Sequence, residues 1–253
     1  MQGLSYREYL NLKLGLHLPS YSLNAILEGH LAISREINTH IKPLQYFSGY
    51  LQQGYFPFFQ EVPELYFQRI EEVMNLILEI ELPLLRKVEV AYVSKLKQLL
   101  QIISESVPFV PNVTKLSARI GVNRNTFVSY LYFLEEAHIT RNLYKDAKGI
   151  TQLQKPNKIF LENTNLQYAL SPDYANIGNI RETFFLNQLS VKHTLEYIDG
   201  TDFLVDYQYL FEVGGKSKNK RQIKNQEDSY LVVDDVEYGM GNTIPLWLFG
   251  FLY

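Results

Sequence analysis

The chain has 253 residues and no cysteine, which excludes a disulfide scaffold, a thiolate zinc site and a cysteine nucleophile. Hydrophobic residues at 46% against 20% charged exclude a disordered chain and leave enough apolar surface for a sizeable core. A net charge of −3 excludes a polybasic nucleic-acid coat, so any nucleic-acid surface must be local. The longest apolar runs, such as Ile244 to Tyr253, fall short of the roughly 20 residues a bilayer needs. The N-terminus lacks a charged-then-apolar signal pattern, and a cytoplasmic protein is the simplest expectation.

Three parts follow in chain order: residues 1–107, 108–155 and 156–253. The first reads as helical. Ser5 caps a helix over Leu4 to Leu14, and Ser22 one over Leu23 to Ile41, closed by Pro43. Tyr46 to Leu51 is a short helix. Pro63 opens another from Glu64 to about Leu82, and a last one runs from Tyr92 to Ser104. A helical bundle is the expectation.

The second part is basic. Lys115, Arg119, Arg124, Arg141, Lys145, Lys148 and Lys155 stand against Glu135, Glu136 and Asp146. A short helix ends at Gly121, whose tolerance of positive φ suits a helix C-terminus. Asn123 then caps a second helix to about Ala137, burying Phe127, Tyr130, Leu131 and Leu134. Ile139 to Leu143 reads as a strand, and Lys145 to Gly149 as its turn. Helix, turn, helix and strand pair make a winged helix-turn-helix. Its second helix offers Asn123, Arg124, Asn125, Thr126 and Ser129 to groove edges and phosphates, with Lys145 and Lys148 on the wing. A role in domain or protein contacts alone fits the same pattern.

The third part is mixed. Lys158 to Glu162 is a strand, Asn163 to Leu170 a helix, and Ile180 to His193 a longer helix. Strand-like runs follow at Leu195–Ile198, Asp202–Asp206, Tyr209–Val213 and Ser229–Val233; Ile244 to Tyr253 is a strand or helix. Glu182, Asp202 and Glu212 are candidate catalytic carboxylates. Asp202 and Glu212, on consecutive strands, are candidate ligands for a hard divalent cation, which prefers oxygen donors. They resemble the PD-(D/E)xK nuclease core, in which the second strand carries Glu-x-Lys. Here the lysine place holds Gly214, and the nearest lysine is Lys216, which would have to fold back over a glycine bulge. The expectation is a nuclease-like fold without robust nuclease activity. Gly214-Gly215-Lys216-Ser217 looks like the end of a phosphate-binding loop, but the first glycine of such a loop would fall at Leu210, inside a strand. No ATP binding is expected there. The basic run Lys216, Lys218, Lys220, Arg221 and Lys224 reads as a solvated face or a phosphate contact. The five histidines (His17, His30, His40, His138, His193) show no metal-ligand spacing.

Leu4-Ser5-Tyr6-Arg7-Glu8-Tyr9-Leu10 resembles the "SFREYL" segment of prokaryotic AAA-type ATPases. Gly49 to Pro57 is similar to that family's "YL-x-x-G-x-P". The winged helix over Leu116 to Leu134 fits the family, Arg181 to Leu189 resembles its "G/R-x-x-E-N/T-F/L-x-x-N-x-L" helix, and Thr201-Asp202-Phe203 and Phe211-Glu212-Val213 its "x-D-F" and "x-E-V-K" strands. The resemblance covers nearly the whole chain. It implies an α+β multi-domain protein: a helical, ATPase lid-like region, a winged helix-turn-helix and a C-terminal restriction-endonuclease-like domain. The family's nucleotide-binding strands precede the "SFREYL" segment, whereas Met1 stands only a few residues before it here. The expectation is a chain with no cofactor of its own, ATP and magnesium belonging only to a full-length parent. DNA, a separate or missing ATPase core and a second copy of the chain are the expected partners; a membrane is not. Three functions stay open: a DNA-binding or regulatory module, a protein-interaction or oligomerisation module, and a metal-dependent nuclease.

Overall fold

The computed structural model describes residues 3–86, 89–145, 155–218 and 227–253. The fold is α+β. In chain order the elements are α1 (Tyr6–Leu14), α2 (Leu23–His40), α3 (Leu44–Gln53), α4 (Tyr66–Leu76), α5 (Leu82–Arg86), α6 (Val90–Ser104), α7 (Val113–Ile120), α8 (Arg124–Glu136), β1 (Thr140–Leu143), β2 (Lys158–Leu161), α9 (Thr164–Leu170), α10 (Ile177–Leu189), β3 (Leu195–Glu196), β4 (Phe203–Val205), β5 (Tyr209–Gly214), β6 (Ser229–Val233) and β7 (Thr243–Pro245). A 3₁₀ segment over Leu246–Phe251 follows β7. No described helix is long and apolar enough to cross a membrane.

Two compact units result: Met1–Pro63 together with Asn176–Tyr253, and Glu64–Ala175. The helices expected as one bundle are therefore divided, α1–α3 in the first unit and α4–α6 in the second. The reason is visible in the apolar faces of the first three.

In the first unit a five-stranded sheet runs in the order β3-β4-β5-β6-β7. The β3–β4 and β4–β5 pairs are antiparallel, and β5–β6 and β6–β7 parallel. Helix α10 has no exposed face along its second half: every residue from Thr183 to Leu189 is buried. Its consecutive phenylalanines serve two neighbourhoods. Phe185 meets Phe203, Phe211 and Phe249, with ring centroids 5.3, 5.0 and 4.9 Å away. Phe184 meets Phe47 of α3 at 4.9 Å and Tyr50 at 5.9 Å. The aromatic faces of α1 and α3 thus finish a core whose other side comes from the far end of the sequence. Gln188, fully buried, fixes the junction. Its amide nitrogen donates to Tyr50 Oη (3.0 Å) and its Oε1 accepts from the Tyr6 N–H (3.2 Å), one of the orphan donors that open α1. Ser5 and Glu8 close a capping box on the same helix end. The Ser5 hydroxyl also donates to the carbonyl of Tyr253 (2.9 Å).

In the second unit, α4 and α5 are joined by one π turn over Ile77–Glu81, so the helix expected to stop near Leu82 continues to Arg86. Pro83 explains the widening: it offers no N–H, and in a regular helix its ring would strike the carbonyl four residues earlier. Asn112 caps α7, accepting from the Lys115 N–H (3.1 Å), and Gly121 ends it at φ 70°. Asn123 caps α8, accepting from the Thr126 N–H (2.9 Å). Phe127, Tyr130, Leu131 and Leu134 form the buried face, as the spacing predicts. Strand β1 pairs antiparallel with β2, Thr140 opposite Leu161. The strand expected at the head of the third part therefore belongs with α7 and α8, and Phe109 bridges Ile159 in the same unit.

Candidate functional site

The carboxylates of the first unit are brought together. The β4–β5 register pairs Phe203 with Phe211, which sets Asp202, just before β4, opposite Glu212 on β5. The side chain of Glu212 is fully buried. The Val213 N–H donates to Asp202 Oδ2 (2.8 Å), fixing that carboxylate against the strand. The lysine of the cluster is not Lys216. That residue is exposed and pairs with Asp235 (2.8 Å), because the turn after β5 carries it away from the sheet. Lys218 takes the place: its Nζ lies 2.5 Å from Glu212 Oε1 and 3.8 Å from Asp202 Oδ2.

Burial pushes the Glu212 carboxyl up from its usual range; the hydrogen bond from Lys218 opposes this and the Asp202 charge adds to it. For Lys218, burial acts to lower the pKa. The hydrogen bond to Glu212 and the charges of Asp202, Glu212 and Glu182 together reverse this, and the ammonium is held above its ordinary value. Glu182, on α10, thus acts on the same lysine. Its neighbour Arg181 pairs with Asp234 (2.8 Å) at the end of β6. Among the described residues no three His, Asp or Glu side chains converge as a metal-holding group. Gly214 ends β5 and no helix follows directly, so Gly214 to Ser217 forms no phosphate-binding loop. Lys220, Arg221 and Lys224 lie outside the described residues.

The second unit holds its candidate DNA-contacting groups at the surface. Asn123, Arg124 and Asn125 are exposed on the first turn of α8, with Thr126 and Ser129 half-buried behind them. All five line a cleft of about 750 Å³ shared with Arg86, Glu89, Tyr92 and Phe133. Burial, with Tyr92 and Glu89 close by, pushes the Tyr130 hydroxyl in this cleft up to about 12. Arg86 pairs with Glu136 at 2.5 Å. Arg124 also lines a second recess of about 400 Å³, with Lys155 and the N-terminal residues Asn112, Val113 and Thr114 of the α7 end. Spacing did not single out Lys155; it comes from the far side of the β1–β2 connection. Lys145 is exposed beyond β1, its N–H donating to Asn157 Oδ1 (2.9 Å), and Lys148 lies outside the described residues. At the base of β1, Arg141 makes two hydrogen bonds to the buried Glu162 (2.5 and 3.2 Å) and is held in structure rather than offered outward.

An α+β protein with a buried carboxylate–lysine cluster in one unit and an exposed Arg–Asn helix end in the other is the class defined so far. The chain belongs to the family described as a domain of unknown function, DUF8612, whose model matches residues 44–180. The match covers α7 and α8 and leaves Asp202, Glu212 and Lys218 outside it. No curated protein and no solved structure matches the chain.

Proposed function

We propose that this chain is the DNA-binding, regulatory module of an AAA-type ATPase. In this reading α7, α8 and the β1–β2 pair act as a winged helix-turn-helix, and the sheet unit as a restriction-endonuclease-like core serving as scaffold. The ATPase connection rests on the sequence resemblance. The observation that carries the DNA reading is the recess shared by Arg124, Lys155 and the N-terminal end of α7. Two cations and a helix N-terminus suit a phosphate: the helix end adds unpaired N–H groups and the positive end of its dipole. Arg124 and Asn125 at the head of α8 then face the adjoining groove, where Arg and Asn are donors to base edges.

Binding of this kind is dominated by released counterions and falls steeply with salt. Fluorescence anisotropy with a labelled duplex at about 50 and about 200 mM salt tests it. Replacing Arg124 and Lys155 by Ala should weaken binding and reduce the salt slope by roughly one unit per lost phosphate contact. A chain that binds duplex equally well without both cations does not use this surface.

A second reading, a protein-interaction module, is favoured by one observation. Val73, Leu76, Ile80 and Leu84 recur at helical spacing along α4 and α5, with exposures from 43% to 75%. Sedimentation of the intact chain, and of a Leu84→Glu variant, separates self-association from a monomer.

A further inference from the structure

Two carboxylates set directly opposite on antiparallel strands repel, and the repulsion grows where water is excluded. Glu212 is fully buried, so solvent does not screen it. Such a pair needs a cation between its oxygens or must keep a proton on one of them. Among the described residues the cation at the pair is the Lys218 ammonium, 2.5 Å from Glu212 and 3.8 Å from Asp202. Its route is unusual. Lys218 stands four positions beyond Gly214, the last residue of β5, and its stem lies back across that glycine. A Cβ built on Gly214 would meet the Cβ, Cγ and Cδ of Lys218, each at 2.7 Å. These are the near, stiff part of the side chain, so an alanine at 214 forces the stem aside. The glycine is therefore the opening through which the lysine reaches the pair. The absence of a side chain at 214 and the presence of a lysine at 218 are one device.

We propose that Lys218 is the resident cation of the Asp202–Glu212 pair and closes it to divalent metal ions. The ammonium holds the Glu212 oxygen that a metal ion would need, while the Val213 N–H holds Asp202 Oδ2 from the other side. A divalent ion would have to compete for carboxylate oxygens that the ammonium and the Val213 N–H already hold. The ion pair is thus a strut that joins the start of β4, the end of β5 and the following turn, and it spares the pair from needing metal.

The test uses the intact chain and manganese as the probe. Calorimetric titration of Mn²⁺ into the wild type should show no saturable binding, and millimolar Mg²⁺ or Mn²⁺ should leave its melting midpoint unchanged. Lys218→Ala should melt lower. It should acquire Mn²⁺ binding about tenfold or more tighter than the wild type, with Mn²⁺ restoring part of the lost midpoint. A second change, Asp202→Asn, should abolish that gain. Gly214→Ala, which keeps the lysine but displaces its stem, should move in the same direction. It carries the test with Lys218→Met if Lys218→Ala does not fold. Saturable Mn²⁺ binding by the wild type that is lost in Asp202→Asn would overturn the proposal. So would folded Lys218→Ala and Gly214→Ala chains that gain no affinity over the wild type.

Discussion

The candidate site residues of the two units are held in opposite ways. In the sheet unit, Asp202, Glu212 and Lys218 neutralise one another inside the protein, and each is fixed by a neighbour from another segment of chain. At the head of α8, Asn123 spends its oxygen on the Thr126 N–H, while Arg124 and Asn125 project into solvent. A charge that already has its counter-charge contributes to architecture. A charge held out on a capped, rigid helix end is available to a ligand. Residue type alone does not separate the two cases; the environment does.

Five measurements sharpen or break this contrast. The largest effect should come from Phe185→Ala, since Phe185 packs three other rings beneath the β4–β5 register; a loss of about 3–5 kcal/mol in denaturant melts is expected. Next is Glu212→Ala, which leaves Lys218 and Asp202 without the partner that joins them. Because Lys218 is one-third exposed, water softens the loss to about 1–3 kcal/mol. A comparable loss on changing Asn125 would erase the distinction between the units.

The pH dependence comes third. Lys218 is held above its usual 10.5, so its contribution is complete below that pH and is lost as the pH rises through the raised value. Glu212 is likewise raised from 4.5, so its protonated form favours the fold in acid, and that share is lost as the pH climbs above 4.5. Melts across pH should show a smaller alkaline fall for Lys218→Met, and a smaller decline just above pH 4.5 for Glu212→Gln. Unchanged profiles would mean that the pair does not couple to folding.

Fourth, Asn123→Ala removes the α8 cap and should cost about 1 kcal/mol by thermal melt, without affecting the sheet unit's response to metal. The smallest effect on stability belongs to Arg124→Ala, within about 0.5 kcal/mol of wild type. The same substitution should visibly weaken duplex binding. A destabilised Arg124→Ala chain would place that guanidinium among the structural charges instead.

What could be read in the sequence follows the same line between local and non-local causes. The α7–α8 pair was legible because Gly121 and Asn123 act within a few residues of themselves, and helix ends are local chemistry. The pairing of β1 with β2 was not, since the run at Lys158 carries nothing that names its partner. Asp202 and Glu212 were legible as neighbours, because strand spacing brings opposite positions together. Lys218 was not, because a spacing rule looks for lysine on the strand, two residues after the glutamate. The available signal was negative: a glycine in the lysine position, with a lysine four residues further on. Lys155 was legible as one of the basic residues but not as a neighbour of Arg124, because that nearness comes from tertiary packing and not from spacing.

The core built around Gln188 has a consequence for the order of synthesis. Helices α1 and α3 are made well before α10 and the segment after β7, so Tyr6, Phe47 and Tyr50 must wait for partners on those later elements. At about 5–20 residues per second, roughly ten to forty seconds pass before those partners are made. The intervening segment, Glu64–Ala175, contains its own core and can finish folding during that wait. The growing chain therefore carries an uncovered aromatic surface on α1 and α3 until α10 and the segment after β7 have been made. Its exposure to chaperones, and to aggregation with its own copies, is set by elongation speed as much as by final stability.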